Sequence, residues 1–147
     1  MSFFDEILGN YALWIALCAW FVAQVIKILL ELIRKKKLNL RLLMSSGGMP
    51  SSHSSFVTAV TTVIGLTEGF DSPIFALGAI VSLIVMYDAS GVRRAAGNQA
   101  KVINDLIASI ENPNIKLDKK LKEMLGHTPV QVAAGAVLGI AIALIFY

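Results

Sequence analysis

The chain holds two histidines, His53 and His127, and each lies in a stretch suited to an anion. His53 ends the run Gly47-Gly48-Met49-Pro50-Ser51-Ser52-His53, where glycine backbone and the hydroxyls of Ser46, Ser51, Ser52 and Ser54 supply flexibility and donors. His127 opens His127-Thr128-Pro129-Val130-Gln131, which reads as a helix start: Thr128 caps, Pro129 takes the first helical position, and Gln131 completes a capping box. Helix starts present free N–H groups and a positive dipole end, which favours a phosphate dianion. A third block, Tyr87-Asp88-Ala89-Ser90-Gly91-Val92-Arg93-Arg94, adds a carboxylate and two guanidiniums.

These are the parts of phosphoryl transfer. One imidazole can attack phosphorus and the other can protonate the leaving oxygen, while Arg93, Arg94 and backbone amides neutralise the developing charge. No carboxylate cluster accompanies them in the sequence, so no metal or other cofactor is expected. Taken singly, each histidine also fits a polar helix-end residue facing lipid headgroups.

The elements that must position these groups are apolar. Of 147 residues, 56% are hydrophobic, against roughly 45–50% in a soluble domain. A spanning helix needs about 20 mostly apolar residues, and spans are expected at about 12–33, 51–67, 74–92 and 129–147. The expected fold is therefore all-α: a single-domain integral membrane four-helix bundle. Ser54, Ser55, Thr58, Thr61 and Thr62 make the second span polar, which places it inside the bundle. Gly135 and Gly139 form a GxxxG pair that permits close helix approach. Between spans three and four, Val102, Leu106, Ile107 and Ile110, then Leu117, Leu121, Met124 and Leu125, repeat at helical spacing. Such basic amphipathic pieces are expected to lie as interfacial helices at the membrane surface, a solvated linker being the plainer reading.

Charge sets the orientation. Of 13 Lys and Arg, five follow the first span (Arg34, Lys35, Lys36, Lys37, Arg41), seven lie between the third and fourth, and Lys27 lies inside the first. The N-terminal tail and the 68–73 turn carry only Asp5, Glu6, Glu68 and Asp71. Positive residues stay inside, so both termini are expected outside and the histidine loops at the cytoplasmic face of a cell membrane. The basic residues hug that surface, which argues for anionic headgroups and against nucleic acid. The tail lacks the positive charge of a cleaved signal and is expected to remain. Cys18 is alone, so no disulfide framework exists within one chain.

Lys27 shares a helix face with Gln24 and with Glu31, four residues on. Either Lys27 reaches the surface with Glu31 as its counter-charge, or it lines a polar cavity, and in the second case it is expected among the phosphate-binding residues.

Together the blocks Ser46 to His53, Tyr87 to Arg94 and Leu125 to Gln131 resemble the type 2 phosphatidic acid phosphatases, most closely their small divergent membrane branch, over nearly the whole chain. The resemblance implies a lipid phosphatase working through a phosphohistidine. Pro50-Ser51-Ser52-His53 matches the family's Pro-Ser-Gly-His except at Ser52, which makes His53 the general acid, with Ser51 and the backbone of Gly47, Gly48 and Ser52 around phosphate. His127 matches the nucleophile of the motif His, three residues, Asp, but Gln131 stands in place of the carboxylate. Asp88 either supplies that missing charge or pairs with Arg93, Arg94 or Lys27. No Arg stands at position 121, six before His127, so Arg93 or Arg94 is expected to serve phosphate from across the loop. The first family motif, Lys, six residues, Arg-Pro, is met only loosely by Arg34 to Arg41, and Arg94 is favoured over Arg41 for phosphate contact.

The expected partner is a phosphorylated lipid such as phosphatidylglycerophosphate or phosphatidic acid. A headgroup-binding scaffold without turnover is the alternative, kept open by Gln131, and a small transporter is a third reading. Homo-oligomerisation stays open.

Overall fold

Short polar side chains start the long helices. Asn10 Oδ1 accepts the Leu13 N–H at 3.0 Å, Ser51 Oγ that of Ser54 at 3.3 Å, Ser72 Oγ that of Phe75 at 3.2 Å, and Thr128 Oγ1 that of Gln131 at 3.4 Å. Each such cap contributes about 1 kcal/mol. The computed structural model describes residues 2–36, 47–109, 121 and 125–147, and its elements are helices: α1 (Phe3–Leu8), α2 (Tyr11–Lys35), α3 (Ser52–Glu68), α4 (Pro73–Ser90), α5 (Val92–Ser109) and α6 (Pro129–Phe146). Among the described residues there is no strand.

The hydroxyl-rich α3 packs against α2, α4 and α6. Ser55 Oγ donates to Ala19 O on α2 at 3.1 Å, Thr58 Oγ1 to Ala136 O on α6 at 3.1 Å, and Ser82 Oγ of α4 to Val57 O at 3.2 Å. Each of these three hydroxyls has a carbonyl on a neighbouring helix to pair with, and Thr61 pairs with the Ser82 hydroxyl, which makes a polar helix tolerable in an apolar bundle. Gly135 and Gly139 face α3, where a Cβ would collide with Ser51 and Ser55 carbonyls. The expected close approach of the GxxxG pair is therefore made to α3.

Size is sorted against the usual rule for soluble proteins. The core holds Ala16, Ala19, Ala59, Val63 and Ala143, while Trp14, Phe21, Leu77, Leu83, Ile84 and Ile145 point outward. Large apolar side chains outside and small residues between helices are the pattern of a bundle solvated by lipid. Among the described residues, three helical stretches are long and apolar enough to cross a membrane: Tyr11–Lys35, Pro73–Ala108 and Pro129–Phe146. The expected second span, α3, is 17 residues and hydroxyl-rich, and is not among them.

The boundaries differ from expectation in places. The helix expected from residue 98 starts already at Val92, only Gly91 separating it from α4. The piece expected at 117–125 lies largely outside the described residues, but Asn104 clasps Leu121, its Nδ2 donating to Leu121 O at 2.9 Å and its Oδ1 accepting the Leu121 N–H at 3.0 Å. Glu31 does not neutralise Lys27. It pairs with Lys35 at 2.6 Å, one turn nearer the helix end, where neither charge must be fully desolvated.

Candidate active site

The two histidine blocks meet through backbone bonds. The Ser51 N–H donates to Gln131 O at 3.0 Å, joining the start of α3 to the first turn of α6, and the His127 N–H donates to Ala89 O at 2.8 Å, tying that turn to the end of α4. Gly126, at φ 85°, makes the second junction possible: a Cβ there would meet Arg94 N at 2.5 Å and the Arg93 carbonyl carbon at 2.9 Å. Only glycine takes both that dihedral and that contact without strain. One end of the bundle thus gathers residues from three separate stretches of chain.

His127 is 2% exposed. Its Nδ1 lies 3.2 Å from Gln131 Oε1, which also accepts the Thr128 N–H at 3.1 Å. A backbone amide can only donate, so the amide atom it faces is the oxygen, and the imidazole nitrogen sharing that oxygen must carry its hydrogen. The neutral ring then has its lone pair on Nε2. That nitrogen is buried and has no hydrogen-bond partner among the described residues.

Lys27 is 3% exposed, and its Nζ likewise has no partner among the described residues. It sits two turns inside α2, roughly 12 Å from the helix end. Gly48, at φ 93°, lies on its stem; a Cβ there would meet Lys27 Cγ at 3.0 Å and Cδ at 3.1 Å. Burial pushes the His127 imidazole below its usual range; the Gln131 hydrogen bond opposes this, the Lys27 ammonium adds to it, the Gly48 backbone opposes it and His53 adds to it. A buried ring beside a fixed ammonium stays neutral, the form that can attack.

His53 is exposed in the first turn of α3, and the charges that act on it are Arg93, Lys27 and Asp88. Asp88 does not orient His127; its Oδ2 binds Arg93 Nε at 2.6 Å, and the orienting contact to His127 comes from Gln131. Of the two arginines, Arg93 therefore belongs to this cluster, whereas Arg94 is exposed and makes no ion pair among the described residues. Ser51 and Ser52 are buried, but the Ser51 hydroxyl caps α3 and its N–H is taken by Gln131. Gly47 is half-buried beside Gly48, and Arg41 lies outside the described residues.

The sequence held one signal that the loose Arg34 to Arg41 match passed over. Lys27 and Arg34 are separated by six residues, the Lys-to-Arg spacing of the family's first motif without its proline, and Lys27 is the residue buried at the site.

Residues 8–142 match the profile of the Divergent PAP2 family. A Bacillus subtilis protein named "Uncharacterized membrane protein YuiD" is 44% identical to the chain over 95% of this chain and 96% of its own length. No solved structure matches. The chain belongs to the Divergent PAP2 family and is a membrane protein.

Proposed function

We propose that this member of the Divergent PAP2 family is a lipid phosphomonoesterase that works through a phosphohistidine. One observation carries the reading: two buried polar atoms, His127 Nε2 and Lys27 Nζ, lie at one end of the bundle with no hydrogen-bond partner among the described residues. Leaving such atoms unpaired costs about 1–3 kcal/mol each, and more for a charge, unless a ligand pairs with them. A phosphate does so: its oxygens accept from Lys27 while its phosphorus faces Nε2.

In the first step the Nε2 lone pair forms the P–N bond, the P–O bond to the lipid breaks, and protonated His53 gives its proton to the departing oxygen. Gln131 Oε1 holds Nδ1–H throughout, so the ring attacks from a fixed tautomer. In the second step water attacks phosphorus, the now neutral His53 takes the water's proton, and the P–N bond breaks to free phosphate and His127. Lys27, Arg93 and the backbone of Gly47 and Gly48 stabilise the charge on the equatorial oxygens.

The substrate enters from the cytosolic leaflet. In this reading α2, α3, α4 and α6 all span, as a four-helix bundle, with α5 at the interface. Arg34, Lys35, Lys36, Arg93 and Arg94 ring the site end, and Asp5, Glu6, Glu68 and Asp71 belong to the other. That asymmetry supports a cytoplasmic site with both termini outside. Phosphatidylglycerophosphate and phosphatidic acid carry the phosphomonoester the site fits.

The test is phosphate release by the detergent-purified chain from a panel of phosphorylated lipids, with His127→Asn as the control. Release that disappears in the variant supports the reading; lipid binding without release by the wild type would make the protein a headgroup-binding scaffold. Labelling a cysteine introduced at Met49 from the outer face only would overturn the orientation.

A further inference from the structure

The described site is rich in positive groups and holds one carboxylate. Lys27 comes from α2, Arg93 from the first turn of α5, His53 from α3 and His127 from the turn before α6; of these, Arg93 pairs with Asp88 at the end of α4 and His53 lies within range of its charge. Asp88 bonds Arg93 Nε at 2.6 Å, with the two side chains 35% and 45% exposed. An ion pair that open to water is worth about 0–1 kcal/mol, so a better anion displaces it.

The helix register brings Asp88 level with His53, within range of its charge. α3 and α4 run antiparallel, with Thr61 Oγ1 2.9 Å from Ser82 Oγ, the Ser82 hydroxyl bonded to Val57 O at 3.2 Å, and Gly78 packed on Thr61. Continuing one to two turns along that pairing sets His53 level with the last turn of α4, which contains Asp88. The carboxylate thus has a guanidinium that holds it and an imidazole at the same level on the neighbouring helix.

We infer that Asp88 is a positioning residue for His53, held off by Arg93 in the empty site and released when a phosphate takes Arg93. The arriving dianion accepts from the guanidinium, and the freed carboxylate turns to the His53 ring and stabilises its protonated form. The acid is charged when there is a leaving group to protonate. Gln131 on the nucleophile and Asp88 on the acid thus divide two tasks: an uncharged acceptor orients His127 while burial favours its neutral form, and a carboxylate favours the charged form of His53.

This rests on the phosphatase reading, and one arm of its test does not. Binding of orthovanadate to the detergent-purified full chain is measured by calorimetry for wild type, Asp88→Asn, Asp88→Ser, Arg93→Gln and the double variant Asp88→Asn/Arg93→Gln. Freed from its latch, Arg93 binds vanadate about three- to tenfold tighter in Asp88→Asn and in Asp88→Ser; Arg93→Gln binds about tenfold weaker, and adding Asp88→Asn to it brings no tightening. In turnover, Asp88→Asn lowers KM while kcat falls about tenfold, and the alkaline limb of kcat moves about one unit to lower pH because His53 loses the charge that kept it protonated. Vanadate binding no tighter in both Asp88 variants overturns the latch, and an unmoved alkaline limb overturns the role toward His53. Wild-type protein that releases no phosphate from any lipid overturns the phosphatase reading alone, and the vanadate arm then still decides the latch.

Discussion

The two ends of the bundle treat polar groups in opposite ways. At the end holding α1 and the last turns of α3 and α6, Trp14 Nε1 donates to Leu8 O at 3.0 Å, the Tyr147 hydroxyl to Leu66 O at 3.2 Å, and Ser72 Oγ to Gly69 O at 2.7 Å. Each polar tip there finds a carbonyl left over by a helix end, as expected where the only task is closure. At the other end, Lys27 Nζ and His127 Nε2 are buried without a partner among the described residues. Two buried polar atoms left unpaired at one end are what the phosphate site proposed above requires.

Substitutions at each end sharpen that contrast. The largest effect is expected at the nucleophile: His127→Asn loses at least about a thousandfold in phosphate release, with the thermal midpoint unchanged or raised. Next, Lys27→Met reduces release about a hundredfold while raising stability, because an unpaired buried ammonium is replaced by an apolar chain of similar length. Loss of both activity and stability in a denaturant titration would mean that Lys27 has a structural partner instead.

A subtler break lies in the pH profile. His127 attacks only when neutral, and burial favours that form, so the acidic limb of kcat/KM is expected below the ordinary imidazole value of about 6.5. Gln131→Glu puts a carboxylate against Nδ1, stabilises the protonated ring and moves that limb up by about one unit. A limb that stays in place would mean that Gln131 does not hold the ring during turnover. The smallest effects belong to the satisfied end: Tyr147→Phe and Trp14→Phe cost stability by about 1 kcal/mol or less and leave the rate within about twofold.

What was legible in the sequence was local. Ser51, Ser72 and Thr128 cap helices as their types and spacing suggest, and the Thr128–Gln131 box forms. The same box has a second local consequence, at the four-residue spacing of the family's last motif, since its Gln131 oxygen also fixes the His127 tautomer. Ser2 and Asp5 carry a cap signal too, the Asp5 carboxylate accepting the Ser2 N–H at 2.9 Å, yet α1 reads as tail because six residues are too few to establish an apolar period. Choices between equivalent partners were not legible. Glu31 is four residues from both Lys27 and Lys35, and solvent decides for Lys35. Asp88 had His127 and Arg93 as candidates, and the break at Gly91 brings Arg93 back over the last turn of α4. The burial of Lys27 under Gly48 joins residues from two distant stretches, which periodicity within either cannot reveal.

The central claim is that His127 carries the phosphoryl group. Turnover of a phosphomonoester lipid by the detergent-purified chain, quenched in alkali to preserve phosphohistidine and followed by peptide mass analysis, tests it most directly. The account predicts one phosphoryl group on the peptide containing His127, absent in His127→Asn and diminished when Lys27 is replaced by Met. Phosphate released at the wild-type rate by His127→Asn, or a phosphoryl group found on His53 instead, would contradict it.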